Sequence, residues 1–132
     1  MSEPTTGRIT GIHTIGVPVS DQDAALRFYV GALGFEERMD APLPQAGARW
    51  IEVAPPGSAV SVALVAAGEE QPSGGESGIR FTTDDAPALH GALGASGIEV
   101  GDLLNWPGVP PMFTFRDPDG NGLTAIQTDT AP

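Results

Sequence analysis

The chain has 132 residues, 40% of them hydrophobic and 17% charged, the balance of one compact domain over residues 1–132. Six Arg, no Lys and seventeen acids give a net charge of -11, which denies nucleic acid a basic face and biases any cleft towards cationic ligands. The absence of Cys removes disulfides, thiolate metal sites and cysteine nucleophiles together.

Eighteen Gly and thirteen Pro are scattered between apolar runs, so the pattern predicts many short elements joined by turns. The longest apolar run, residues 59–67, is far short of a membrane span, and residues 1–10 lack the apolar stretch of a signal peptide. A soluble, cytoplasmic protein with no nucleic-acid or membrane partner is expected. Residues 8–19 read as a strand whose odd positions, Ile9, Ile15, Val17 and Val19, face the core. Ser20 or Asp21 then caps a helix carrying Ala25, Leu26, Phe28, Tyr29, Ala32 and Leu33 at helical spacing, which Gly34 ends. Three strands follow over residues 35–40, 48–54 and 59–65, separated by turns at 42–47 and 55–58. The polar, Gly-rich residues 68–77 read as a linker, and they lack the Lys and helix start of a phosphate loop.

The second half repeats the first at an offset of 63 residues. Asp21, Ala25, Leu26, Gly34 and Phe35 map onto Asp84, Ala88, Leu89, Gly97 and Ile98; Trp50 maps onto Phe113, and the turn at 55–57 onto that at 118–120. The second copy then comprises strand 78–83, helix 85–95 and strands 98–103, 112–117 and 122–128. The expected architecture is α+β: two tandem βαβββ modules, at about 8–67 and 78–128, forming curved mixed sheets around a concave cavity with helices on the outer face.

The run Gly11-Ile12-His13-Thr14-Ile15-Gly16-Val17-Pro18-Val19-Ser20-Asp21, followed by Ala25-Leu26-Arg27-Phe28-Tyr29 and Leu33-Gly34-Phe35, resembles the opening of the vicinal oxygen chelate superfamily. Phe115-Arg116-Asp117-Pro118-Asp119-Gly120-Asn121-Gly122 is similar to the signature before that family's last strand. The family includes glyoxalases, ring-cleaving dioxygenases, fosfomycin-resistance enzymes and bleomycin-resistance binding proteins, so the resemblance speaks for fold more than for activity. It implies three metal-ligand positions, normally His or Glu, which fall here on Thr14, on Gly78 or Ser77, and on Thr124. Two hydroxyls and a glycine do not replace a divalent ion's hydration shell, so neither metal nor cofactor is expected.

His13 shares the alternation of Ile15 and Val17 and is read as a hydrogen-bonded structural histidine; His90, in the second helix, is given no role. No nucleophile-elbow motif accompanies these two histidines. Glu52 shares the parity of Trp50 and points towards the cavity, as a general base of raised pKa or, preferably, as a hydrogen-bond acceptor for ligand. Residues 102–112 form a proline-stiffened loop presenting Trp106 as a lid, a core plug or a dimer contact.

The expected site places a flat aromatic ligand between Trp50 and Trp106, with Met39, Met112, Phe113 and Phe115 as apolar lining and Glu52, Ser61, Thr14 and Thr124 as polar contacts. A one-residue bulge would exchange Phe113 and Phe115 for Met112 and Thr114 on that face. The reading is a homodimeric, metal-free, non-catalytic protein that sequesters an antibiotic-like aromatic molecule at a dimer interface. A glyoxalase-type lyase or isomerase, or a metal-independent enzyme using Glu52 or His13, is the alternative. A third is a regulatory dimer in which the aromatic loop contacts protein.

Overall fold

The computed structural model describes residues 7–45 and 47–128; Ala46 and both ends of the expected 1–132 domain lie outside them. In the first half, β1 (Thr14–Val19) leads into helix α1 (Gln22–Leu26) and its π-helical continuation (Arg27–Ala32), then β2 (Glu36–Leu43), β3 (Ala48–Ala54) and β4 (Ser61–Ala66). In the second, β5 (Glu76–Thr83) leads into α2 (Ala86–Ala95), β6 (Met112–Arg116) and β7 (Gly122–Gln127). The first sheet has the order β1-β4-β3-β2 and the second β5-β7-β6. β1–β4 and β5–β7 are parallel and the other pairs antiparallel, so both halves carry the same mixed topology.

Several boundaries differ from the sequence pattern, among them that of β5, which begins at Glu76 inside the expected linker 68–77. The first strand begins at Thr14 rather than residue 8, because its partner β4 begins at Ser61 and offers nothing for the preceding residues to pair with. Ile9 is therefore 94% exposed instead of being core. The expected strand 98–103 is reduced to the isolated bridges Val100–Phe115 and Leu104–Met112. Four residues on that segment span three on β6, and the mismatch breaks the ladder. β2 is longer than expected and runs through Pro42, which an edge strand tolerates because that edge needs no N–H donor.

The repeat is also less regular than one offset. Asp21 caps the first helix by accepting from the Ala24 N–H, and Asp85, not Asp84, caps the second by accepting from Ala88, an offset of 64. The glycines that end the helices, Gly34 and Gly97, both take positive φ and lie 63 apart. The first helix thus holds one residue more between cap and stop. It absorbs that residue by widening into a π turn, in which the Leu33 N–H donates to the Phe28 carbonyl.

One apolar core draws on both halves: Val17, Val19, Ile51, Val53 and Leu64 from the first sheet, and Phe113, Phe115, Leu123 and Ala125 from the second. Phe28, Tyr29, Phe35 and Leu93 fill the space beside them, and Phe35 meets Phe81 edge-on at 5.2 Å between ring centres. The halves are also tied by polar bonds at one point. The buried Asp117 accepts from the Tyr29 hydroxyl at 2.8 Å, from both nitrogens of Asn121 at 2.9 Å and from the Asp119 N–H at 3.0 Å. Asn121 donates onward to the Pro18 carbonyl, and Asp119 accepts from the Ser20 hydroxyl and N–H. Burial, then the neighbouring Asp117, pushes the Tyr29 hydroxyl far above its ordinary range, so it remains a proton donor in this network.

Candidate ligand-binding site

Side chains alternate across a strand, so with Val17, Ile51, Val53, Val62 and Leu64 in the core, the intervening positions face the other side of the first sheet. Cross-strand register lines up Gly16, Ala63, Glu52 and Met39 in one row, with Thr14 opposite Ser61 and Trp50 opposite Ala41 beside it. The two smallest members of that row, Gly16 and Ala63, leave a shallow floor next to the long Glu52 side chain. Thr14, Met39, Trp50, Glu52 and Ser61 therefore share this face.

Glu52 is the hub of the face. One carboxylate oxygen accepts from the Trp50 indole N–H at 2.8 Å, the other from the Ser61 hydroxyl at 2.9 Å. His13 Nε2 lies 3.4 Å from the first of these oxygens. The Trp50 N–H holds the Glu52 carboxyl below the usual range, with Ser61 and His13 adding to it and burial opposing. The side chain is thus a fixed, ionised acceptor that orients an indole, and a general base of raised pKa does not describe it. His13 departs from its expected place on the helix side. It precedes β1, where strand alternation no longer applies, and its exposed ring turns to Glu52.

On the second sheet, Phe113 and Phe115 are 1% and 3% exposed and belong to the core, packed edge-on and tilted against His90, Phe81 and each other. They correct the constant 63-residue offset, which puts them on the face of Trp50. By face, Trp50 corresponds to Met112 and Glu52 to Thr114, an offset of 62. The open row of this sheet is Arg80, Thr124 and Thr114, beside Thr82, Ile126 and Met112. His90 is half-buried and pairs its Nε2 with the Gly101 carbonyl at 2.8 Å, a structural position.

Trp106 lies at neither sheet's centre. The bridge Leu104–Met112, closed by backbone hydrogen bonds of 2.8 and 3.1 Å, ties off residues 105–111 as a projecting loop in which Trp106 is 60% exposed. This removes the core plug as a description. Among the described residues no hydrogen bond or ring contact joins Trp106 to Trp50, so within one chain the two tryptophans stand apart. Arg80 is a facing residue that the pattern missed, and its register with Thr124 identifies it; Met112 and Thr114 take this face, as the one-residue shift has it.

The two motifs, the duplicated topology and the shared open faces agree with a family comparison. The model of the glyoxalase/bleomycin resistance protein/dioxygenase superfamily matches residues 11–124. The chain belongs to that superfamily. Among solved structures it is similar to TnmS3, an antibiotic binding protein from Streptomyces sp. CB03234, with 35% identity, a TM-score of 0.81 and coverage of 92% of this chain and 98% of that one. A superfamily member from Sphaerobacter thermophilus DSM 20745 matches at 31% identity and a TM-score of 0.81, over 91% and 98% of the two chains. The uncharacterized protein YetH of Bacillus subtilis (strain 168) is 30% identical over 118 residues, 86% of this chain and 94% of YetH.

The metal that enzymes of this superfamily use does not suit the donors present. Thr14 and Thr124 supply hydroxyls and Gly78 has no side chain. The alternative, Ser77, has its hydroxyl engaged in donating to the Gly122 carbonyl at 2.6 Å and accepting from the Ile79 N–H at 3.1 Å. Among the described residues no three of His, Asp and Glu are grouped as an ion would need. The donors at these positions therefore do not fit a divalent metal.

Proposed function

We propose that this protein binds and sequesters an aromatic, antibiotic-like small molecule, without a metal, in a cavity formed when two chains cover each other's open sheet faces. The observation that carries the reading is the Trp50–Glu52–Ser61 cluster: an indole fixed by an ionised acceptor on a face whose superfamily metal positions hold Thr14, Gly78 and Thr124. A fixed indole beside a floor of small residues gives a planar ring a stacking surface, worth about 0.5–1.5 kcal/mol beyond area burial. The likeness to an antibiotic binding protein across nearly the whole chain adds to it.

Exposed apolar side chains support the two-chain arrangement. Ile9, Ile12, Met39, Trp106 and Val109 all face solvent in the single chain, and a twofold partner would cover such surfaces and bring a second wall to each face. In that arrangement Trp106 and Met112 of the second half complete the apolar lining, with Thr14 and Thr124 as polar contacts. The cytoplasm remains the expected compartment; among the described residues no helix is long and apolar enough to cross a membrane.

The test is titration of the purified protein with planar aromatic antibiotics and flavin-like compounds, read by tryptophan fluorescence, together with sedimentation at micromolar concentration. Saturable quenching at one ligand per chain in a dimer is the expected result. A monomer that no such compound quenches would overturn the reading.

A further inference from the structure

We propose that the cavity where the two sheets meet holds the acidic group of an apolar, ring-bearing organic acid, with Arg80 as its counter-ion. The inference deepens the binding function above and rests on it. The cavity measures about 530 Å³ and lies between β1 and the start of β4 on one side and β5 on the other. β1 and β5 are edge strands, so the opening lies at the free margins of both sheets. Ile15, Val60, Val62, Ile79 and Phe81 make its walls largely apolar, and Arg80, which alternates to the other face of β5 from Ile79 and Phe81, is the charged residue at its margin. Ser61 lines the same cavity and donates to Glu52, so the cavity adjoins the Trp50–Glu52 cluster.

The other arginines make Arg80 distinctive. Arg38 is engaged by Glu36 and the Ser58 carbonyl, Arg49 by Asp23 and Asp40, and Arg116 by Glu76 and the Gly120 carbonyl. Arg8 and Arg27 are exposed, as Arg80 is, but they line no part of this cavity. Arg80 makes no hydrogen bond or ion pair among the described residues, in a chain of net charge -11 with acids enough to neutralise it. An exposed guanidinium at the margin of an apolar cavity matches a carboxylate or sulfonate with two parallel N–H donors. Thr124, opposite Arg80 in the β5–β7 register, puts a hydroxyl on the same face. The overall negative field favours cations at long range, so selection of an acid here has to be local.

The experiment compares two fluorescent probes of the same ring skeleton: anionic 1-anilinonaphthalene-8-sulfonate and uncharged N-phenyl-1-naphthylamine. Each is titrated into the wild-type protein, Arg80→Gln, Arg80→Lys and Arg27→Gln. The last removes the same charge away from the cavity. The sulfonate probe is expected to weaken about tenfold or more in Arg80→Gln, less in Arg80→Lys, and not in Arg27→Gln, while the neutral probe stays within about twofold throughout. Equal loss for Arg80→Gln and Arg27→Gln, or no loss in either, would overturn the role of Arg80. If the neutral probe still binds in that case, the aromatic binding site stands without its acid subsite. Failure of both probes to bind the wild type would overturn the acid subsite and count against the aromatic site with it. Arg80→Lys keeps the comparison valid should Arg80→Gln fold poorly.

Discussion

The turn between β3 and β4 and the turn between β6 and β7 are two versions of one device put to different uses. Both contain a proline followed by a glycine with almost the same positive φ, Gly57 at 83° and Gly120 at 84°. In the first half the turn is self-contained: Ser58 bonds to Val60, Arg38 reaches the Pro55 and Ser58 carbonyls, and Pro55 and Pro56 form part of the cavity wall. In the second, Asp117 precedes the turn, and aligning the strands by face leaves it with no counterpart: Arg116 matches Ala54, and Pro118 matches Pro55. That one added carboxylate recruits Tyr29, and with Asn121 and Asp119 it binds the second half to the first. A repeated backbone thus acquired a clasp in one copy and a binding-site wall in the other through a single extra residue.

Removing the clasp tests this contrast most severely. Asp117→Ala leaves the Tyr29 hydroxyl and the Asn121 and Asp119 donors without their acceptor, and the expected loss is roughly 3 kcal/mol or more, read by chemical denaturation. A loss under about 1 kcal/mol would mean that apolar packing alone joins the halves. A second comparison sets Phe113→Ala against Trp106→Ala. The buried ring should cost about 3–5 kcal/mol, whereas the exposed indole should change stability little and instead weaken aromatic-ligand binding by about tenfold. A large stability loss for Trp106→Ala would return that side chain to a structural role.

The two turn glycines sharpen the likeness itself. Gly57→Ala and Gly120→Ala each force an L-residue into the left-handed region, at a cost of about 1–2 kcal/mol, and no side chain crowds either position. Equal shifts in Tm are expected, and unequal ones would separate the two turns. The smallest effect concerns Glu52, which the clasp half lacks. Its folded carboxyl titrates below the usual range, so its stabilisation is present above the ordinary glutamate pKa and is lost as pH falls through the lowered folded value. At neutral pH Glu52→Gln should cost about 1 kcal/mol, with the gap to wild type closing as the pH drops through the carboxylate range. A gap independent of pH would remove the charge from the account.

Much of the fold is legible in the residue pattern. The Asp caps and Gly stops bound both helices to within a residue, and alternation pairs Glu52 with Trp50 on one face. The second half is harder to read, because parity in a strand depends on a count correct to one residue. The offset between the halves is 64 at the helix caps, 63 at the glycines and 62 in the facing strands, so a single value of 63 turns Phe113 and Phe115 the wrong way. His13 escapes for a related reason: a strand ends where its partner ends, and the sequence of β1 does not state where β4 begins.

The amino-acid sequence by itself determined the superfamily, the duplicated topology and the acidic charge, because each is a matter of residue type and local spacing. Tertiary structure decided which face each strand presents, that Glu52 is a bound acceptor with His13 beside it, that Asp117 joins the halves, and that Arg80 stands at the junction with no partner among the described residues. Those properties depend on distances between segments far apart in the chain. Register shifts of one residue set them, and no local pattern records such shifts.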